Sequence, residues 1–223
     1  MVQPLTDSDA SKIAHDLCPV FYQAFRSQFD LIVPISETDP PSTKVCDPPP
    51  IYYRAMQDPG RCNYCLYAVY HLYDTAAPHQ HDFEGILVRN DPDSRDFLIG
   101  TVCHWGLRWW KVTKDNKWDS HAVAIQAGGH GIYKPDGDMN ELRYDNVMLI
   151  PMDDEPFKSK WEFYRKQFAP HVKMPDQWVD MNIENYVLHF RPGFEGVRLE
   201  TSRGLIWSRP DILIQLAEKA GRI

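Results

Sequence analysis

Apolar residues recur at helical spacing near the start of the chain and then crowd into short, strand-like runs. Between residues 7 and 29, Ile13, Leu17, Val20, Phe21, Ala24 and Phe25 form one apolar stripe, and Asp7 or Ser8 stands where a helix cap is needed. The pattern predicts a helix there, kinked or split at Pro19, because proline removes an amide donor and its ring clashes with the preceding turn. Residues 34–50 hold Pro34, Pro40, Pro41 and the run Pro48-Pro49-Pro50, which reads as an extended loop wrapping the surface.

From residue 51 the character changes to strands. Ile51–Arg54 is one, and Tyr64–Tyr73 is another, whose dense aromatic and branched residues fit a buried strand. Asp82–Val88, Phe97–Cys103 and His121–Gln126 follow. Polar turns at Asn90–Ser94 and Lys114–Lys117 lie between them. Helical patterns return over 156–168 and from Pro210 to Ala220, the last closed by Gly221. The expected fold class is mainly β (α+β), a central antiparallel β-sandwich flanked by helices. It forms a single domain. Residues 1–50 supply the first helix and the Pro-rich loop, 51–150 the sandwich core with the site, and 151–223 a helical and extended C-terminal part.

Composition narrows this picture. A chain of 223 residues with 43% hydrophobic and 13% aromatic residues can bury a sizeable core and is not a disordered segment. A net charge of −7 is the opposite of a basic nucleic-acid footprint, so no nucleic-acid partner is expected. No run is long and apolar enough to span a bilayer, and no membrane partner is expected in the favoured reading. The first residues lack the basic and apolar regions of a secretory signal, and the five cysteines follow no disulfide framework. A reducing, cytoplasmic setting is therefore the expectation.

The chemistry concentrates in His79-Gln80-His81-Asp82-Phe83-Glu84. Asp82 and Glu84 are two apart on a strand, so both point to one face. Two like charges held together call for a cation or a proton between them. His79 is expected on a loop, free to swing toward the carboxylates. His81, if already in the strand, points away and ranks behind it. Asp74 ends the preceding strand, and a hairpin would return it near Asp82. In Gly128-Gly129-His130-Gly131, glycines let the backbone turn sharply and present His130 to the same pocket. The expected metal ligands are Asp74, His79, His81, Asp82, Glu84 and His130, with Glu84 and His130 as the catalytic pair. Oxygen donors alone would suit Ca2+ or Mg2+; imidazoles move the preference to iron, manganese or zinc. Fe2+ is favoured, with Mg2+, Ca2+ or Mn2+ as alternatives. A solvated turn rich in His and Asp is the plainer explanation.

Three residues form the expected substrate side. Arg108 and Trp109 lie in an aromatic-basic stretch with Trp105 and Trp110, where Arg108 could pair with a carboxylate; core and edge packing is the ordinary role of such a stretch. His121 starts the strand leading to His130. Cys62 and Cys65 have C-x-x-C spacing, but no second pair completes a zinc site and no helix follows, so they read as ordinary strand cysteines.

Three segments together resemble a known family. Tyr67–Asp74, then His79–Gly85, then Gly129–Tyr133 are similar to the necrosis- and ethylene-inducing-like proteins. That family has an aromatic-rich strand ending in Asp, a Gly-His-Arg-His-Asp-Trp-Glu heptapeptide and a later His-Gly turn. Pro78, Gln80 and Phe83 stand where it has Gly, Arg and Trp. The resemblance implies a β-sandwich flanked by helices and a divalent-metal site built from Asp74, His79, Asp82 and Glu84, with His130 in the later turn. Its known members are secreted cytolysins that bind plant sphingolipids; this chain reads as an atypical, non-secreted member.

The first expected function is that of an intracellular metal-dependent enzyme on this fold, a non-haem iron(II) oxygenase or hydroxylase acting on a small polar molecule. The second is a cytolysin that holds a glycosylated sphingolipid headgroup through its metal. The third is a metal-dependent hydrolase with Glu84 as general base. All three need Asp82. Asp82→Ala is expected to abolish metal binding, measured by elemental analysis; stoichiometric metal retained in that variant would remove the site from this strand.

Overall fold

The computed structural model describes residues 5–34, 46–58, 62–76, 79–90, 97–103, 106–112, 121–135, 142–152, 188–190 and 196–199, with backbone alone for some strand residues, 79–83 and 106–109 among them. The first helix, α1, runs Asp7–Leu17. Its cap is Thr6, one residue ahead of the expected Asp7 or Ser8: Thr6 Oγ1 accepts from the Asp9 amide at 3.2 Å. A threonine in extended backbone satisfies an otherwise orphaned amide of the first turn. One side of the helix buries Ile13, Ala14 and Leu17.

The helix ends at Leu17, two residues before Pro19, and the residues beyond are not helical. Cys18 is extended, and Val20–Gln23 forms strand β1. Proline excludes the helical conformation from the residue before it. Alternation then suits the sequence better than a helical period, because Phe21 and Gln23 are buried while Val20 and Tyr22 are half-buried. A short 3₁₀ turn, Gln28–Asp30, follows.

The next five strands form an antiparallel meander: β2 (Pro50–Asp58), β3 (Cys62–Asp74), β4 (His79–Asn90), β5 (Phe97–Cys103) and β6 (Gly106–Val112). A second sheet joins β1 to β7 (Ala122–Ile125), β8 (Ile132–Tyr133) and β9 (Leu142–Tyr144) in the order β8-β7-β1-β9. β10 (Met148–Pro151) borders β2, while β11 (Leu188–Phe190) and β12 (Gly196–Leu199) extend the sheet beyond β6. The mainly-β sandwich is present, with one difference: both sheets are mixed. β1 runs parallel to β7, and β10 parallel to β2. Parallel neighbours need a long connection, which the chain between each pair supplies. Most of the Pro-rich loop and both C-terminal helical patterns lie outside the described residues.

The core fills the space between the sheets and α1. Cys65, Tyr67 and Val69 of β3 face it, with Ile86 and Val88 of β4 and Ile99 of β5 beside them. The opposite parity of β3 is also buried: Tyr64, Leu66 and Tyr70 are 0% exposed. Burial on both faces explains why β3 reads as a continuous apolar run instead of an alternating one. Each fully buried large side chain contributes roughly 1.5–3 kcal/mol. Cys62 and Cys65 are free and buried strand residues, and Cys62 Sγ accepts from Arg89 Nε at 3.2 Å. Burial pushes the Cys18 thiol up to about 12 and the Cys65 thiol higher still, which suppresses the reactive thiolate of both.

A buried hydrogen bond from Tyr67 Oη to the Ala14 carbonyl, at 2.7 Å, ties helix to sheet. Tyr67→Phe would leave that carbonyl without this donor. The expected loss is about 1–2 kcal/mol, read from urea unfolding; an unchanged midpoint would show that the tie is energetically idle.

Candidate functional site

The β3–β4 hairpin places the chemistry-bearing segment. Its pairing runs without a bulge from Asn63↔Asn90 to Asp74↔His79. His79 is thus a strand residue, the first of β4, and not a loop residue as expected. His79 and His81 have the same strand parity, so the preference for His79 over His81 loses its basis. Asp74 returns beside His79, while Asp82 lies opposite His71 and Glu84 opposite Val69. Register groups Asp74 with His79, and Glu84 with Asp82, on alternate parities of the ladder.

Glu84 is 6% exposed. It shares its strand face with Val69 and with His71, two residues further along β3. His71 is fully buried, and the His130 ring stacks on it, with centroids 3.8 Å apart and planes 9° apart. The turn after β7 does carry His130 to this end of the sheet. Gly128 has φ +87°, and His130 itself has φ +47°, a left-handed conformation unusual for a residue with a Cβ. The Gly128 carbonyl accepts from the Thr75 and Ala76 amides at 2.8 and 3.3 Å, and the Gln126 amide donates to the Gly131 carbonyl at 3.0 Å. A Cβ on Gly128 would meet Thr75 Oγ1 at 3.0 Å. The glycine is needed for close approach as well as for its backbone angle.

Asp74 is buried and caps the hairpin, its Oδ1 accepting from the Ala76 amide at 2.7 Å. Such a carboxylate-to-backbone bond two residues on is ordinary turn chemistry for aspartate. The same oxygen lies 4.0 Å from where a Cβ on Gly129 would sit, so Asp74 and the His130 turn are neighbours.

Two members of the cluster had not been expected. His71 lies hidden in an aromatic run, where a buried histidine looks like one more large side chain. Asp30 is 1% exposed and accepts from the amides of Arg26, Ser27 and Gly128 at 2.8, 2.7 and 2.6 Å. The spacing Ser27-x-x-Asp30 is a capping box and could have located the turn. It could not have located the contact with Gly128, which is 98 residues away.

Electrostatics follow from burial. Burial alone would raise the Asp30 pKa, but hydrogen bonds from the backbone of Arg26, Gly128 and Ser27, and then the nearby His130, outweigh it and hold the carboxyl below its ordinary value. Burial and the adjacent His130 hold the His71 imidazole well below its ordinary value, against the pull of the Leu31 and Asp30 backbone. His71 is therefore neutral near pH 7.

The substrate-side residues fall elsewhere. Arg108 pairs with Thr101 and Trp109 with Gly100, on rows that pass through Ile86 and Leu87 of β4, two strands over from the hairpin. His121 sits at the opposite end of β7 from the His130 turn and stacks on Phe97 at 4.3 Å. Phe97 pairs with Asn90, at the far end of β4 from His79. The expectation of His121 as a site residue does not fit this placement, because β7 carries its two ends apart. Among the described residues, no three His, Cys, Asp or Glu side chains form a group able to hold a metal ion.

His121 instead yields a stability prediction. Burial lowers its pKa from 6.5 to about 4, partly opposed by the Leu17 backbone. Between those values the unfolded chain binds a proton here and the folded chain does not, so stability rises with pH across this window and is lost on acidification. The loss attributable to this side chain is at most about 3 kcal/mol. His121→Phe is expected to shrink the change in urea midpoint between about pH 7 and about pH 4; an equal change in both proteins would assign the acid sensitivity elsewhere.

No family model matches the chain, and no curated protein matches it. Solved structures are similar to it. NLPPya in complex with mannosamine shares 13% identity over 73% of this chain and 83% of that chain, with a TM-score of 0.48. NLPPya in complex with glucosamine shares 14% identity over the same portions, with a TM-score of 0.47. A structure described as "Toxin fold as basis for microbial attack and plant defense" shares 12% identity over 73% of this chain and 84% of that chain, with a TM-score of 0.46.

Proposed function

We propose that the end of the β3–β4 hairpin, under the His130 turn, holds one divalent cation that serves a small polar ligand. The observation that carries this reading is buried Glu84 on the strand face of His71, with His130 stacked on His71. A buried carboxylate close to imidazoles is donor chemistry that a divalent cation selects. Asp82, two residues away, has the same parity on that strand.

The donor set suits a transition metal better than calcium. Glu84 and Asp82 supply oxygen and His130 supplies nitrogen. His79 and Asp74, directly opposite each other, lie at the same end of the ladder but on the other parity, so they stand outside this donor set. Mixed imidazole and carboxylate donors favour iron(II) or manganese. When bound, iron would supply the activation of dioxygen for hydroxylation of a small polar molecule. The chain's own part is to hold the ligands at fixed register on the hairpin, to keep water from the inner face through Tyr67 and Val69, and to hold a proton on Glu84 when the ligand releases one.

Metal analysis tests this directly. Protein purified without chelators and reconstituted anaerobically is expected to hold close to one equivalent of iron or manganese and to gain thermal stability with it. If only calcium or magnesium binds, and removal of iron changes nothing, the oxygenase chemistry is wrong. Metal-dependent binding of glucosamine or mannosamine, or leakage of glycolipid vesicles, would point instead to a headgroup-binding protein.

A further inference from the structure

His130 is held from three directions. Its ring plane lies against His71, with centroids 3.8 Å apart. Its backbone is turned to φ +47° by the bonds that Gly128 makes to Thr75, Ala76 and Asp30. Its ring edge is close to a carboxylate: Nε2 lies 3.4 Å from Asp30 Oδ1, an ion-pair distance without hydrogen-bond geometry, and both side chains are essentially buried.

The two oxygens of Asp30 divide their work. Oδ2 accepts from the Arg26 and Ser27 amides and from Ser27 Oγ, all within four residues. These bonds alone would complete a local capping box. Oδ1 instead accepts from the Gly128 amide at 2.6 Å and looks toward His130. A local cap has no need of that second oxygen in this place.

We propose that Asp30 is a positioning residue for His130, which keeps a proton on Nε2 and fixes the tautomer of the ring. The reason is elementary: a bare ring nitrogen would set its lone pair against a buried carboxylate, whereas an N–H is attracted to it. A carboxylate behind an imidazole is the usual way of fixing the tautomer and raising the basicity of a metal-binding histidine. The effect of that tautomer on cation binding rests on the cation reading above; the proton on Nε2 does not.

Nitrogen-15 long-range correlation spectra of the full chain, labelled at histidine and free of metal, test the proposal near pH 7. The wild-type protein is expected to show a protonated Nε2 at His130. Asp30→Asn is expected to lose that preference and to weaken Mn2+ binding, measured by calorimetry, by about ten- to a hundredfold. Ser27→Ala removes a local bond of the same turn but leaves the carboxylate against His130. It is expected to lower stability without moving the His130 nitrogen shifts or the Mn2+ affinity.

A bare Nε2 in the wild-type protein, or unchanged His130 shifts in Asp30→Asn, would overturn the proposal. So would an equal effect of Ser27→Ala on the shifts, which would reduce Asp30 to a structural staple. If Asp30→Asn does not fold, the wild-type spectrum alone decides the position of the proton. Expected spectra with no Mn2+ binding in the wild-type protein would sink the cation reading and leave the positioning of His130 standing.

Discussion

The unbroken ladder between β3 and β4 is the constraint on which the rest of the structure depends. One register runs from Asn63↔Asn90 to Asp74↔His79. Because side chains alternate strictly along a strand, that register decides at once which residues face the core. It sets Tyr67 beside Ile86 and Cys65 beside Val88, so the apolar face is continuous across both strands. A slip of one residue would move this whole set of side chains to the opposite face of the sheet. The same register puts Glu84 on the parity of Val69 and His71, and so makes the inner end of the hairpin polar.

That polar end is an expensive place within an apolar sandwich. Asp30, His71, Asp74, Glu84 and His130 are all buried there or nearby. Buried polar groups are tolerated when hydrogen bonds or opposite charges satisfy them. Asp30 meets this condition with three backbone amides, and Asp74 with the Ala76 amide. Neutralisation serves His71 instead, through its lowered pKa. The cluster joins segments far apart in the chain: the 3₁₀ turn, the hairpin tip and the turn after β7. Together they hold His130 in a backbone conformation that a histidine rarely adopts.

Several elements were legible from residue order because their causes are local. The break at Pro19, the dense apolar run of β3, and β5 at Phe97–Cys103 follow from proline geometry and from burial of branched and aromatic side chains. The segment after Pro19 was not legible as a strand. Phe21, Ala24 and Phe25 happen to fall at helical spacing, and only pairing with β7 makes Val20–Gln23 a strand. The loop position expected for His79 was also wrong. Ladder pairing to Asp74 extends β4 back to that residue, although its own neighbours look like turn chemistry.

The sequence by itself determined a mainly-β domain with an N-terminal helix, a carboxylate pair at Asp82 and Glu84, and a glycine-flanked His130. These depend on residue type and short spacing. The tertiary structure alone decided which histidine meets which carboxylate. It stacked His130 on His71, set Asp30 against both Gly128 and His130, and sent His121 to the far end of β7. The physical reason is distance along the chain. A contact across 98 residues is fixed by sheet register and by turns closing on one another, and nothing local to Asp30 or Gly128 announces it.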